Sequence, residues 1–378
     1  MASSGPIRCR RPRCFRHAPP QAASMAASER VRSPAARNRP VFPGHPLRAG
    51  LSMQATVPLA ASREEIIARL ADTPLRIGQI DVNGKCNAKC WYCPVKYQGN
   101  PEEFAVQMSI GELDRVLGNL RASPLIPAAF RFLYSCHYNE VLLYKHFAEL
   151  PAVFRKHGFA TMILSNGTPL TPEKTDIIVA NGDVIWGVTL NIPALDQDDW
   201  ARKAGFPASR HRLLLRNLDY LHERYPASIQ INCSTSPAGM LDNAMANTPE
   251  EAEAIAESFR SRYPKFKVGL QPWLSDRAGK LASHAVLTHD QHAVREVVGC
   301  AHSANDGGRV FGWVHVNARG ELFLCCDDYD MEYRFGNLLE QDFAEAWCSS
   351  AHVDAIFASR QGICRTCQFR VEAPAAAV

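Results

Sequence analysis

The stretch RIGQIDVNGKCNAKCWYCPVKYQG, residues 76–99, sets a strand pattern directly before three cysteines, Cys86, Cys90 and Cys93. The spacing is C-x3-C-x2-C, with Pro94 immediately behind it. Four thiolates close a tetrahedral zinc site or saturate an iron–sulfur cube. Three can ligate three irons of a [4Fe–4S] cluster and leave the fourth iron free for a small chelating molecule, an arrangement suited to catalysis. Two plainer readings stay open from the spacing alone: zinc with a fourth ligand elsewhere, or three buried thiols.

The chain around this motif has 378 residues, enough for two domains or one large domain with an appendage. It is 46% apolar and 21% charged, ordinary for a globular protein. The net charge of +4 is more than supplied by the Arg-rich start, so the body is near neutral and makes no case for nucleic-acid binding. No apolar run approaches 18 residues, and no membrane span is expected. Thirteen cysteines without a visible signal peptide point to metal or redox sites in a reducing cytosol, not to disulfides, and the expected location is cytoplasmic. The first 52 residues hold ten arginines, eight prolines and one acid, Glu29. Such a segment buries too little apolar surface to order itself. It reads as a disordered tail, a transit peptide, or an upstream extension before a start at Met53, the last being favoured. Cys9 and Cys14 lie there and are not expected to bind metal.

From Ser62 onward helix and strand signals alternate. Capping pairs Ser62/Glu65, Ser109/Glu112 and Thr248/Glu251 each precede an apolar-striped segment, and Thr171 with Pro172 marks another helix start. Strands are expected at RIGQIDV, AAFRFLY, ATMIL, VIWGVTL, IQINC and FKVGL, and a helix bent at Pro151 and stopped by Gly158 at VLLYKHFAELPAVFRKHG. Six strands separated by five helices argue for parallel strands joined by helical crossovers. Active sites in such folds gather at the carboxyl ends of the strands, where the cysteine loop falls. FGWVHVNARGELFLCC then reads as a hairpin turning around Asn317 to Gly320. The expected divisions are an extension at 1–60, a barrel at 61–285, a small α+β cluster-binding domain at 286–372 and a tail at 373–378.

The cysteine motif after the first strand, with Tyr92 just before the third cysteine, resembles the signature of the radical S-adenosylmethionine (SAM) superfamily. The resemblance covers residues 77–370 and implies an α/β fold, the family's partial (β/α)6 barrel. It also implies that Cys86, Cys90 and Cys93 hold a [4Fe–4S] cluster whose open iron chelates SAM, which is cleaved to a 5′-deoxyadenosyl radical. Glu140, in FLYSCHYNEVLLY, occupies the position of the family's acid that receives the SAM ammonium, although His137, Tyr138 and Asn139 replace the usual glycines. Ser165 and Asn166, in ILSNGTPLT, resemble the family's Thr-Asn-Gly stretch near the SAM ribose or carboxylate. Tyr92 would lie against the adenine, and Asn191 after the fourth strand is a further candidate. Their plainer roles are a helix-start acid, an ordinary turn and a core aromatic.

A second cysteine set follows: Cys300, Cys325, Cys364 and Cys367, with Gly320 and Cys325 spaced G-x4-C and the last two spaced C-x2-C. Together with GNLLEQDFAEAW, this looks like the "twitch" form of the SPASM extension, which implies one fully ligated auxiliary [4Fe–4S] cluster. Zinc suits four thiolates equally well. Cys326 adjoins Cys325 and competes with it, Cys348 has no partner in the pattern, and Cys136 and Cys233 read as core residues. A ligated cluster beside a radical site can accept the electron a substrate radical must lose to become a C=O or C=C. Arg277, Asp327 and Asp328 are candidates for touching substrate, with surface or turn roles as the plainer alternative. The expected activity is radical oxidation or dehydrogenation of a C–H or alcohol in a small metabolite, with a reductant protein such as flavodoxin or ferredoxin as electron donor. A peptide maturase is the second reading, and a non-catalytic zinc-binding protein the third.

Overall fold

The computed structural model describes residues 62–135, 137–224, 230–234, 247–269, 275–284, 296–302 and 309–373. The expectations for the amino-terminal extension, for Cys136 and for the tail beyond 373 lie outside the described residues. Six parallel strands run in sequential order: β1 (Ile77–Ile80), β2 (Phe132–Tyr134), β3 (Ala160–Ser165), β4 (Ile185–Asn191), β5 (Gln230–Ser234) and β6 (Lys267–Gly269). Helices Ile110–Ala122, Leu150–Lys156, Pro172–Ala180, His211–Glu223 and Pro249–Arg262 separate them. These are the parallel strands and helical crossovers argued from the alternation, and they match the partial (β/α)6 architecture that the resemblance implies. Cys233 lies within β5.

Local chemistry accounts for the element starts. The pairs Ser62/Glu65, Ser109/Glu112 and Thr248/Glu251 each form a reciprocal capping box. Thr171 caps the helix that Pro172 opens. The expected bend at Pro151 is not found. The chain instead makes a short 3-10 turn at Val141–Leu143 and an irregular stretch, and the helix proper begins at Leu150. Pro151 lies in its first turn, where a missing N–H goes unnoticed, so proline here starts a helix instead of kinking one. Likewise β2 begins only at Phe132, because Phe130 N–H closes a turn onto the Pro127 carbonyl at 2.8 Å.

The carboxyl-terminal segment extends the same sheet. β8 (Trp313–Val316) lies parallel beside β1, with Gly78 opposite Val314 and Gln79 opposite His315. β9 (Glu321–Phe323) returns antiparallel to β8 and β10 (Arg334–Asn337) flanks it, so among the described residues the sheet has nine strands, in the order β10-β9-β8-β1-β2-β3-β4-β5-β6. Gly78 permits this closure: a Cβ there would meet Leu133 Cδ2 at 2.2 Å and Val314 Cγ1 at 3.1 Å. The hairpin turn is the expected one, with Gly320 at φ 80° and the Asn317 side chain accepting from Arg319 and Glu321 N–H. A separate pair, β7 (Val297–Cys300) and β11 (Arg370–Glu372), is antiparallel and places Cys300 opposite Arg370. One apolar core runs through both parts, from Leu113 and Val116 to Leu338, Phe343 and Trp347. Polar clamps join them as well: the Asn119 amide donates to the carbonyls of Leu338 and Gln341, and Trp347 Nε1 to that of Leu70.

Candidate active site

The cysteine loop leaves the carboxyl end of β1 and is seated on every side. The Asn83 amide donates to the carbonyls of Lys85 and Glu140, while Cys86 N–H donates to Asn100 Oδ1 and the Asn100 amide returns to Cys86 O. Lys89 and Trp91 N–H groups donate to the carbonyls of Ala204 and Lys203, at the end of helix Gln197–Ala204. Gly205 makes that contact possible: its φ is 70°, and a Cβ there would lie 2.6 Å from Lys89 O. Gly205→Ala is therefore expected to lower stability by about 2 kcal/mol, from left-handed strain plus the clash, and to reduce iron retained by the loop. Thermal melts and iron assays check this, and unchanged values would mean the loop does not depend on this helix end.

Cys90 is buried and Cys86 and Cys93 are partly so. Burial pushes all three thiols up, Cys90 to about 12, and the neighbouring sulfurs of the loop push Cys86 and Cys90 further, Cys86 also feeling Glu140. Arg277 opposes the rise at Cys93. Three thiolates confined together need a cationic centre to stay ionised. Among the described residues, only Cys325, Cys326 and Asp327 bring three such ligand atoms within 4.8 Å of one another. Three thiols from one short loop are the donor set of a [4Fe–4S] cluster with one open iron, whereas a structural zinc site takes four protein ligands.

The structure brings Glu140, Ser165 and Asn166 to this loop. Glu140 is 1% exposed and its N–H donates to Lys85 O. Its carboxylate accepts from Asn166 N–H at 2.8 Å and Leu142 N–H at 3.1 Å. Burial raises it to about 7 against these hydrogen bonds. The Asn166 amide donates to Asn87, inside the cysteine loop, and Asn87 in turn donates to the Thr168 hydroxyl. Ser165 Oγ accepts from Gly167 N–H. Tyr92 stands edge-on to Trp91 and interacts with Cys90. Asn191 ends β4, one residue past the Ser165–Leu190 pairing.

The second cysteine set converges from three segments: Cys300 ends β7, Cys325 follows β9, and Cys364 lies in the short helix Ile363–Thr366 that Cys367 caps. Burial raises all four thiols, and neighbouring sulfurs raise three of them further, Cys300 acting on Cys325 and Cys364, and Cys325 on Cys367. The Cys326 carbonyl accepts from the His137 ring, while Cys325 is the one that faces the set. Cys348 ends helix Phe343–Trp347 against the core. The Asp328 carboxylate accepts from Glu332 and Tyr333 N–H and organises its own turn.

Arg277 lies between the two sets. Its φ is 53° and that of Ala278 is 51°, two successive non-glycine residues in the left-handed region. Such a turn persists only where surroundings over-determine it. Asp276 supplies that constraint, accepting from Ala278 and Gln368 N–H, while Asp276 N–H reaches the Gln368 side chain and Thr366 Oγ1 donates to Ala278 O. The turn is bolted to the loop of Cys364 and Cys367. Its arginine pairs with Asp327 at 3.8 Å, lies 5.5 Å over the Tyr138 ring and acts on Cys93. Sequence reasoning gave no role to Tyr138, whose ring Arg277 overlies, or to the buried Asp81 and His315. The available signals were a lone acid closing an apolar strand and a histidine within WVHV.

This is the framework of an iron–sulfur radical enzyme, and comparison with known proteins agrees. The model of the radical SAM superfamily matches residues 80–238, and that of the SPASM iron–sulfur cluster-binding domain matches residues 308–368. Together these span more than half of the chain, which belongs to the radical SAM superfamily and carries a SPASM-type domain. Its cofactors are accordingly S-adenosylmethionine, a SAM-binding [4Fe–4S] cluster and auxiliary iron–sulfur ligation. Among solved structures, Streptococcus suis SuiB bound to precursor peptide SuiA is similar at 13% identity over 80% of this chain and 72% of that one, with a TM-score of 0.53. BtrN in complex with AdoMet and 2-DOIA is similar at 15% identity over 79% and 93%, with a TM-score of 0.45. The anSMEcpe protein with bound AdoMet stands at 13%, 78% and 86%, with a TM-score of 0.47. The likeness to SuiB is one of fold. No curated protein matches the chain. Among the described residues no helix is long and apolar enough to cross a membrane.

Proposed function

We propose that the protein is a radical SAM dehydrogenase that oxidises a C–H or alcohol of a small polar metabolite. The observation that carries this reading is the Arg277 turn, anchored on the Cys364–Cys367 loop and reaching Cys93. It supports reading the two cysteine sets as parts of one site. In this reading Cys86, Cys90 and Cys93 hold the SAM-binding cluster, and Cys300, Cys325, Cys364 and Cys367 hold the auxiliary one. Bound with SAM, these groups supply a 5′-deoxyadenosyl radical for hydrogen abstraction and a sink for one electron.

The chain's own residues bind and orient. Glu140, fixed by the N–H groups of Leu142 and Asn166, offers a carboxylate to the SAM ammonium. Ser165, Asn166 and Asn191, at the carboxyl ends of β3 and β4, take the ribose and carboxylate, and Tyr92 the adenine. Arg277 and its partner Asp327 hold the polar substrate between the two cysteine sets. A peptide substrate is the second reading, favoured by the fold shared with SuiB, whose structure holds precursor peptide SuiA. The setting proposed is a reducing cytosol with flavodoxin or ferredoxin as electron donor.

The test is anaerobic reconstitution followed by iron, sulfide and 5′-deoxyadenosine analysis. About eight irons per chain with matching sulfide, and reductant-driven 5′-deoxyadenosine release, are expected. Product analysis with small polyols against peptides then decides the substrate class. Zinc without sulfide would overturn the reading.

A further inference from the structure

The barrel interior between β1 and β8 holds a group of buried polar side chains that the proposed roles leave unused. Asp81 follows β1, is tied to β8 by its N–H to the Val316 carbonyl at 2.8 Å, and is 1% exposed. Neither carboxylate oxygen has a partner at full hydrogen-bond geometry, although the Asn139 and Gln79 amides lie near enough to act on it. His315 on β8 is fully buried, and both its ring nitrogens are unpartnered. His137 Nδ1, 4.0 Å from Asp81, is unpartnered too, as are Gln79 Nε2 and Asn139 Oδ1. Asp81, His137 and Asn139 line one side of a cavity whose other side is Phe104, Tyr329 and Met331.

Native interiors pair the great majority of buried polar atoms. A concentration of unpaired ones around a cavity marks a place where something else completes them. We propose that this polar floor is a substrate subsite in which Asp81 accepts a hydrogen bond from a donor group of the ligand, an alcohol or an ammonium.

The electrostatics set the ligand's sign. Burial raises Asp81 to about 7, the nearby Asn139 and Gln79 amides pull it back, and among the described residues no lysine or arginine acts on it. Burial also holds His137 and His315 well below the usual histidine range, so they face Asp81 as neutral rings. Arg277 and Arg309 act on His137, but Arg277 pairs with Asp327 and Arg309 with His302, and neither is among the groups that act on Asp81. An ammonium would compensate the buried carboxylate, and an alcohol would satisfy it. A carboxylate ligand would face an uncompensated like charge at high cost. The apolar wall of Phe104 and Met331 suits the carbon face of such a ligand. This subsite rests on the small-metabolite reading above and sharpens it.

Three probes sharing one carbon chain test it on the full, cluster-loaded protein: sorbitol, glucamine and gluconate. Their affinities are measured by titration calorimetry, with saturation-transfer NMR for weak binding. Glucamine is expected to bind at least about tenfold more tightly than gluconate, with sorbitol between them. Asp81→Asn, checked for folding by circular dichroism, is expected to weaken glucamine by about tenfold and erase its advantage over sorbitol. The ranking in the unmodified protein stands as a test even if the variant does not fold. Equal binding of gluconate, unchanged glucamine binding in folded Asp81→Asn, or no binding by any probe would overturn the subsite; in the last case ordered water alone completes the floor. Reductant-driven 5′-deoxyadenosine release, measured on the same preparation, separates the two proposals. Its absence with the ranking intact counts against the radical reading alone.

Discussion

Cys93→Ala is expected to abolish 5′-deoxyadenosine release and to drop reconstituted iron from about eight to about four per chain. Cys93 lies at the hinge of the loop: its N–H closes onto Cys90 O, and Lys96 N–H closes onto Cys93 O as the short helix Val95–Gln98 begins. Removing the thiol leaves this backbone turn intact, so the loss should be one of ligation and not of fold. Arg277, among the described residues the one cation acting on this sulfur, favours its thiolate form. Two thiolates cannot retain a cluster whose open iron depends on three being filled. Release at the unmodified rate from a protein with unchanged melting temperature would mean that this loop does not hold the catalytic cluster.

Cys364→Ala should divide the two activities. The auxiliary set is expected to lose its metal, again about four irons, while SAM cleavage continues in part and oxidised product falls to background. The separation has a physical basis in the wiring around the turn. Cys300 acts on Cys364, and the neighbours of Cys364, Thr366 and Gln368, hold Ala278 and Asp276. Thr366→Val is the control, since it loosens the Arg277 turn without removing a ligand. It should keep its iron and lose only part of product formation. Equal loss of SAM cleavage and product in folded Cys364→Ala would sink the division of labour between the two sets.

Much of this architecture was open to reading without coordinates, and the reason is range. The capping boxes at Ser62, Ser109 and Thr248 involve partners three residues apart. The turn at Asn317–Gly320 and the loop of Cys86, Cys90 and Cys93 are equally local, so residue type and spacing carry their chemistry. Pro151 was misread because a proline's effect depends on where the helix begins, and that was decided by the irregular stretch before Leu150.

The sequence by itself determined the six-strand alternation, the position of the cysteine loop after β1 and the donors available to each metal set. Only the tertiary structure decided that β8 docks beside β1, that Arg277 is held in a left-handed turn between the two sets, and that Asp81, His137 and His315 share one unpaired interior. Asp81 and His315 are more than 200 residues apart, and no local pattern records their approach. What brings them together is the burial of Val314 and Val316 against the glycine-opened face of β1, a packing effect that ties distant segments through shape and not through spacing.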